Sequence, residues 1–450
     1  MRPTRRSMLA GLSAAAVVPA CKGTTPSDSS PTGDSGPTPA PERDPEPSEW
    51  TPEGSESEAF RWGVQSGDAT VDGVLLSVRT TEAEVVLVVV QADGDGWTEV
   101  ARETVAVADG TAQLELTGLA ADTAYRWVAE GAEGRSRVGR FRTALDDSGY
   151  RVLLFAATSC IKENEPWENM SQVAALQPDA FLLLGDQIYS DSHEIEGYRE
   201  EYGKCLEIGG MNDATAGCSV VATWDDHEVA NNWAMESLAK GQYDAALQAF
   251  REGFPQRQGP TGGIWRSISY GGVAELFVLD CRSERQADEG VYIGREQMDW
   301  LKAGLAASTA TFKLILNSVP ITDYTDMLGD VEADDRWQGF PEAREEILSF
   351  IDGEGLTGVL WVAGDVHFAQ VAKVGVPGSG LGEEQWETCV GPGGSNVMPV
   401  EVYEDTTGQF PLLLSAWNST LIRLDPGLGE ITITHVGDDG ATLAETVLTL

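Results

Sequence analysis

Six runs of apolar residues after Tyr150 end abruptly in polar ones: RVLLFAATSC from Arg151, DAFLLLGDQIY from Asp179, CSVVATWDDHE from Cys218, AELFVLDCRSE from Ala274, TFKLILNSVP from Thr311 and GVLWVAGDVHF from Gly358. They do not alternate apolar with polar, so each reads as a strand buried on both faces of a sheet that helices cover. Between them, YDAALQAFREGF from Tyr243 and GREQMDWLKAGLAAS from Gly294 carry apolar residues at helical spacing. The pattern predicts a layered α/β fold. Upstream the texture differs. From about Phe60 to Thr143 the chain has shorter β-branched runs divided by Gly and Asp turns: GVLLSVRT, AEVVLVVVQ, AQLELTGLAADTAYRWVAEG and RVGRFRT. These predict a small antiparallel sandwich with no clustered ligands and no chemistry of its own.

The first residues read as an address. In MRPTRRSMLAGLSAAAVVPAC, Arg5 and Arg6 precede an Ala-rich apolar stretch too short to span a bilayer, which resembles a twin-arginine export signal. Val18, Pro19 and Ala20 before Cys21 resemble a lipoprotein cleavage site, with Pro19 a departure from the usual pattern. That resemblance implies export to the periplasm or cell surface and a lipid anchor at Cys21. From Lys22 to Glu49 there is no aromatic residue, Val, Ile or Leu, so no core can form and a disordered linker is expected. The expected organisation is a signal over 1–21, a linker over 22–52, an N-terminal β-sandwich over 53–146 and a catalytic domain over 147–450.

Composition narrows the partners. The 450 residues are 42% hydrophobic, enough for two globular domains, and their formal net charge is −42, from 72 acidic and 30 basic residues. A nucleic-acid backbone is repelled by such a surface, so binding of that kind through charge is excluded. A monomer is expected. Of six cysteines, Cys21 belongs to the signal and Cys160 ends a strand-like run. Cys205 and Cys218 bracket a short Gly-rich stretch and, outside the cytoplasm, have the spacing of a disulfide, or else are two unrelated small apolar residues; Cys281 and Cys389 stand apart.

The strand ends hold the chemistry. Cys160 follows LLFAATS, Asp186 and Tyr189 follow FLLLG, Asp225, Asp226 and His227 follow VVATW, and Asp365 and His367 follow LWVAG. Each has an ordinary explanation taken singly, such as a turn, a helix cap or a packed thiol. Together they crowd several anions where an α/β sheet presents its ligands, and a multinuclear metal site resolves that crowding. Of four histidines, His193 and His435 lack a comparable setting.

SC, GDQIYSD, WDDHEVANNW and GDVH, in that order and after a sandwich, resemble the PhoD-type alkaline phosphatase/phosphodiesterase family of metallophosphoesterases. GVQSGD from Gly63, LDCRSER from Leu279 and DDRWQGFPEAR from Asp334 are similar to other segments of that family. The resemblance covers about residues 60 to 450. It implies a metallophosphoesterase-like β-sandwich flanked by helices, and LELTGLAADTAYRWV resembles the late strands of fibronectin type III domains, with Leu119 packing and Tyr125 forming the corner. It also implies one Fe3+ with one or two Ca2+. Cys160, Tyr189 and Asp186 would hold the iron and Asp186 would bridge toward calcium. Asp225, Asp226, Asp365 and His367 would be further ligands. Asp226 and His227 are the candidate catalytic residues, with His227 contacting a phosphoryl oxygen or protonating the leaving alkoxide; Asn231 and Arg282 would line the phosphate pocket. The usual DxH opening of the superfamily is replaced by TSC, and Asn317 stands where many relatives present a histidine. The activity implied is hydrolysis of phosphate mono- or diesters. The alternatives are a phospholipase D-like hydrolase of the same family and a non-catalytic surface lipoprotein.

Overall fold

Alternate residues of the strand Ala180–Leu184 pack into different cores, which is why the run is apolar throughout. Ala180, Leu182 and Leu184 join Leu153, Phe155, Leu276, Leu314 and Leu360 in one core, whereas Phe181 and Leu183 join Met170, Tyr198, Tyr202 and Phe250 in another. A third core sets Phe277, Ile315 and Trp361 against Met298, Leu301, Ile347 and Ile351. Two sheets therefore meet face to face, and helices cover the outer face of each. The computed structural model describes residues 37–162, 164–190, 192–329, 333–400 and 402–450. Thr38–Leu450 form one compact unit.

Among the described residues the first sheet has nine strands, in the order Thr442–Thr449, Glu430–Val436, Ser419–Asp425, Leu153–Thr158, Ala180–Leu184, Ser219–Thr223, Gln65–Gly67, Gly73–Arg79 and Thr111–Thr117. The second has seven: Arg266–Tyr270, Ala274–Val278, Phe312–Leu316, Val359–Ala363, Trp386–Cys389, Ala369–Lys373 and Leu412–Leu414. At the centre of each sheet the strands run parallel. The two stretches with helical spacing form helices at Gln242–Gly253 and Arg295–Ala307. A further helix, Pro341–Glu354, starts on a proline in its first turn and stops at Gly355, whose φ of 62° no helix can continue. No helix among the described residues is long and apolar enough to cross a membrane.

The expected N-terminal sandwich is present, but it is not a separate body. Its core gathers Val74, Leu76, Leu87, Val89, Tyr125, Trp127 and Phe141, with Leu119 packed alongside, and the Tyr125 hydroxyl accepts from the Ala120 N–H at 2.8 Å, closing the corner. Its strand Gln65–Gly67 pairs in parallel with Ser219–Thr223, so the large sheet runs straight across the expected boundary. Buried Asp68 takes Arg266 Nε at 2.6 Å and Nη2 at 2.7 Å, a two-bond clamp onto the second sheet.

One expectation is corrected, and for Cys205 and Cys218 the second of the two alternatives holds. Residues 38–52 are not a free linker: the Ala40 N–H donates to Asp425 at 2.9 Å, Arg43 to the Gln177 carbonyl at 2.8 Å, Trp97 to the Ser48 carbonyl at 2.6 Å, and Glu46 pairs with buried Arg126. Polar contacts fasten this strap, so the lack of aromatic, Val, Ile or Leu residues in it before Trp50 hid it. Cys205 and Cys218 are free, buried thiols. The stretch between them contains a helix, Gly209–Gly217, and the sulfurs turn to different acceptors, the carbonyls of Gln187 and Ala214. The signal and Cys21 lie outside the described residues.

Candidate active site

Parallel pairing sets Leu183 opposite Thr158 and Leu184 opposite Thr223, so neighbouring strands finish at nearly one level. Each then places a polar residue two positions beyond its end: Cys160 after Thr158, Asp186 after Leu184, Asp225 after Thr223 and, in the second sheet, Asp365 after Ala363. Four side chains at this edge rest on left-handed backbone, Cys160 at φ 54°, Asp186 at 59°, Asp365 at 68° and His367 at 56°. Such conformations are uncommon for these residue types and gather where function requires them. Glycines let the loops meet. A Cβ on Gly185, whose φ is 88°, would sit 2.4 Å from the Asp225 Cβ, and one on Gly364 would sit 2.6 Å from the Ser159 side chain.

The edge brings together two overlapping sets of side chains able to hold a metal ion. Cys160, Asp186 and His367 offer atoms all within 4.8 Å of one another, and so do Asp186, Asp226 and His227. Asp186 belongs to both. Its Oδ2 accepts from the Tyr189 hydroxyl at 3.2 Å, while its Oδ1 is buried with no hydrogen-bond partner. Burial, with the Asp226, Asp225 and Glu228 carboxylates nearby, pushes the Asp186 carboxyl well above the usual range. Burial and Asp186 do the same to the Cys160 thiol. For the Tyr189 phenol the causes are burial, Asp186 and Cys160, and the Ser395 side chain opposes the rise. Anions pressed this close, with an orphaned oxygen among them, fit a pair of cations sharing Asp186. The Tyr189 ring lies 4.0 Å from that of His227, centroid to centroid, and both residues are half-buried at the open side.

Arg282 is not a phosphate contact. It is fully buried and both its edges are taken: Nε and Nη2 donate to Asp225 at 2.7 and 3.0 Å, and Nη1 and Nη2 bind Asp335. It acts as a positioning residue that holds Asp225 directly, while Asp335, which Arg285 also binds, fixes the other edge of its guanidinium. Asp225, expected on a metal, stands outside both ligand sets, its oxygens accepting from Arg282 and, at 3.0 Å, from Ser318. Asp365 also lies outside them, half-buried, with its carboxyl pushed up by burial and by Asp225. Asn231 is exposed, and no hydrogen bond among the described residues ties it to the site. Asn317 turns away, accepting from Cys281 at 2.9 Å and Trp337 at 3.1 Å.

Several contributors were missed in the sequence. Glu228 is completely buried; its Oε2 accepts the backbone N–H groups of Asp225 at 2.8 Å and Asp186 at 3.1 Å, and its Oε1 that of Gln187 at 2.5 Å. It pins the two loops that carry most of the ligands, and the signal was its place in WDDHE. Lys162, exposed, holds its ammonium 4.7 Å from the centre of the Tyr189 ring. The glycine run GPGGSN from Gly391 closes the floor, with the Gly394 and Ser395 N–H groups donating to the Cys160 carbonyl at 3.2 and 2.8 Å.

A family model described as PhoD-like phosphatase matches residues 155–410, and one described as the N-terminal domain of PhoD-like phosphatases matches residues 46–145. Alkaline phosphatase D of Bacillus subtilis is 28% identical over 332 residues, which cover 62% of this chain and 56% of that protein. The chain thus spans little more than half the length of that curated relative. Among solved structures, one described as PhoD superposes with a TM-score of 0.75 at 21% identity, over 89% of this chain and 90% of the other. A purple acid phosphatase from yellow lupin (Lupinus luteus) seeds superposes with a TM-score of 0.63 at 12% identity, over 86% and 74%. These likenesses show the fold to be the metallophosphoesterase-like sandwich of two sheets between helices. The first family model takes in more than half of the chain and every strand-end ligand described above, and the chain belongs to the PhoD-like phosphatase family.

Proposed function

We propose that the chain hydrolyses phosphate esters at a site that holds two or more cations around Asp186. The observation that carries this reading is the sharing of Asp186 between two ligand sets, with one of its oxygens buried and unpaired. Cations bound there supply two things phosphoryl transfer needs, neutralisation of the phosphoryl oxygens and a lowered pKa for water poised in line with the leaving group. The residues supply the rest. Glu228 and Arg282 fix the loops, so little reorganisation is left for the moment of reaction. His227, at the open edge against Tyr189, leaves the second cation to Asp186 and Asp226 and gives a proton to the leaving oxygen. Exposed Lys162 faces the same mouth and draws an anionic ester toward a chain that otherwise repels it.

We infer further that the ions are one Fe3+ with one or two Ca2+. A thiolate, an imidazole and a phenolate, from Cys160, His367 and Tyr189, suit a transition metal, whereas Asp186 and Asp226 suit a hard divalent ion. The purified protein should contain iron and calcium and show a visible tyrosinate-to-iron band that Tyr189→Phe abolishes. A colourless, iron-free protein that still turns over a chromogenic phosphomonoester would refute the assignment. The twin-arginine-like start and Cys21 also support export and lipid anchoring, which labelled fatty acid incorporated by the chain and lost in Cys21→Ser would test.

A further inference from the structure

Beside the ligand cluster lies an open hollow of about 600 Å³, walled by Val397, Ala416, Trp417 and Leu443 and rimmed by Asp438 and Asp439. Trp417 and Leu443 are 39% and 40% exposed, an unusual amount of apolar surface for side chains that face one another across a depression. Hydrogen bonds run from Trp417 and from Asp438 to the loop that begins at Cys160. On one side the Trp417 Nε1–H donates to the Ser395 carbonyl at 2.6 Å, and the Ser395 N–H donates to the Cys160 carbonyl at 2.8 Å. Ser395 also faces the Tyr189 phenol, and Val397 follows two residues later. On the other side, Asp438 accepts from the side-chain amides of Asn164 and Asn169, each at 2.7 Å, and the Asn164 N–H donates to the Gly394 carbonyl at 2.8 Å. These bonds tie Trp417 and Asp438 to the loop that carries Cys160, so the hollow and the ligand cluster share one scaffold.

We propose that this hollow binds the alcohol arm of the ester, and that it selects an apolar arm, aryl or alkyl. The inference rests on the phosphoesterase reading above and adds the class of substrate. The anchored N–H keeps the Trp417 indole from turning away, so its exposed face is a preformed shelf that costs little to order. Exposed Asp439 on the rim disfavours arms that carry further phosphates, such as nucleoside polyphosphates.

The test compares phenyl phosphate with glycerol 2-phosphate on the full chain. Trp417→Ala and Leu443→Asn should each lower kcat/KM for phenyl phosphate about tenfold, mainly through KM, and leave glycerol 2-phosphate within about twofold. Trp417→Phe should restore most of the loss. Because each variant is compared with the parent on the same ester, the intrinsic reactivity of the leaving group cancels. Leu443→Asn guards against a loop disturbed by the lost Trp417 hydrogen bond. Equal losses on both esters, or none on either, overturn the proposal. Calorimetry with phenylphosphonate and methylphosphonate separates it from the hydrolase reading. Tighter binding of the phenyl compound that depends on Trp417 supports the hollow even if no ester is hydrolysed, and equal binding of the two compounds by the parent overturns it.

Discussion

Replacing Glu228 by glutamine probes the arrangement at its most loaded point. The carboxylate receives three backbone N–H groups, from Gln187 on Oε1 and from Asp186 and Asp225 on Oε2. An amide of the same shape has one oxygen, so whichever way it turns, at least one of those donors faces an NH2 group. The residue is fully buried, so water offers no substitute. An unpaired buried donor costs about 1–3 kcal/mol, and the better amide orientation leaves one, so the loss is about 1–3 kcal/mol. Burial pushes the Glu228 carboxyl up to about 7 despite its donors, so the comparison belongs at pH 8, where the parent carboxylate is charged. Urea unfolding of Glu228→Gln and the parent at that pH should show this difference in stability. Because the donors belong to the loops that carry Asp186 and Asp225, metal affinity should also fall about 10- to 100-fold. Stability within about 0.5 kcal/mol of the parent and unchanged metal affinity would refute the reasoning, since they would mean that the loops hold their shape without this residue.

Arg282→Gln should destabilise the fold by about 3–5 kcal/mol in urea, because it leaves the Asp225 and Asp335 carboxylates without the guanidinium that bridges them. Gly185→Ala should lower stability by 2 kcal/mol or more and cut activity, since the new Cβ meets Asp225 at 2.4 Å and the φ of 88° disfavours it; an unaffected melting temperature would contradict the close approach. His435 is buried with one ring nitrogen near Thr420 and Asn418 and the other unpaired, and burial lowers its pKa from 6.5 to about 4. A depressed histidine means that the unfolded chain binds the proton first. Its share of stability is therefore whole above pH 6.5 and is lost as pH falls toward 4, by about 3 kcal/mol in full. His435→Asn should flatten that part of the stability profile between pH 7 and pH 4.5.

Much of the architecture was legible because burial on two faces leaves an unbroken apolar run, and six such runs ending in polar residues announce both the sheets and their functional edge. The convergence of Cys160, Asp186, Asp226, His227 and His367, groups able to hold a metal ion, was legible for the same reason. What was not legible depends on partners distant in the chain. An arginine after a strand looks the same whether it meets a phosphate or two carboxylates, and Asp335, which settles the matter for Arg282, is 53 residues further on. The partners of Asp225, Arg282 and Ser318, were hidden for the same reason. Glu228 was visible in its motif, but a sequence does not reveal that a side chain points back into its own loops. The strap at 38–52 docks through arginines and backbone carbonyls, a kind of contact that leaves no hydrophobic pattern. Trp417 lies in an unremarkable stretch, and only the fold sets it beside Ser395.

The most direct test of the central claim is elemental analysis of Asp186→Asn beside the parent, with turnover of a chromogenic phosphomonoester by the same samples. If Asp186 is shared between two cations, the substitution should strip or weaken both, and turnover should fall by at least a thousandfold while the far-ultraviolet circular dichroism stays that of the folded parent. Retention of both metals with most of the activity would show that Asp186 does not join the two ligand sets.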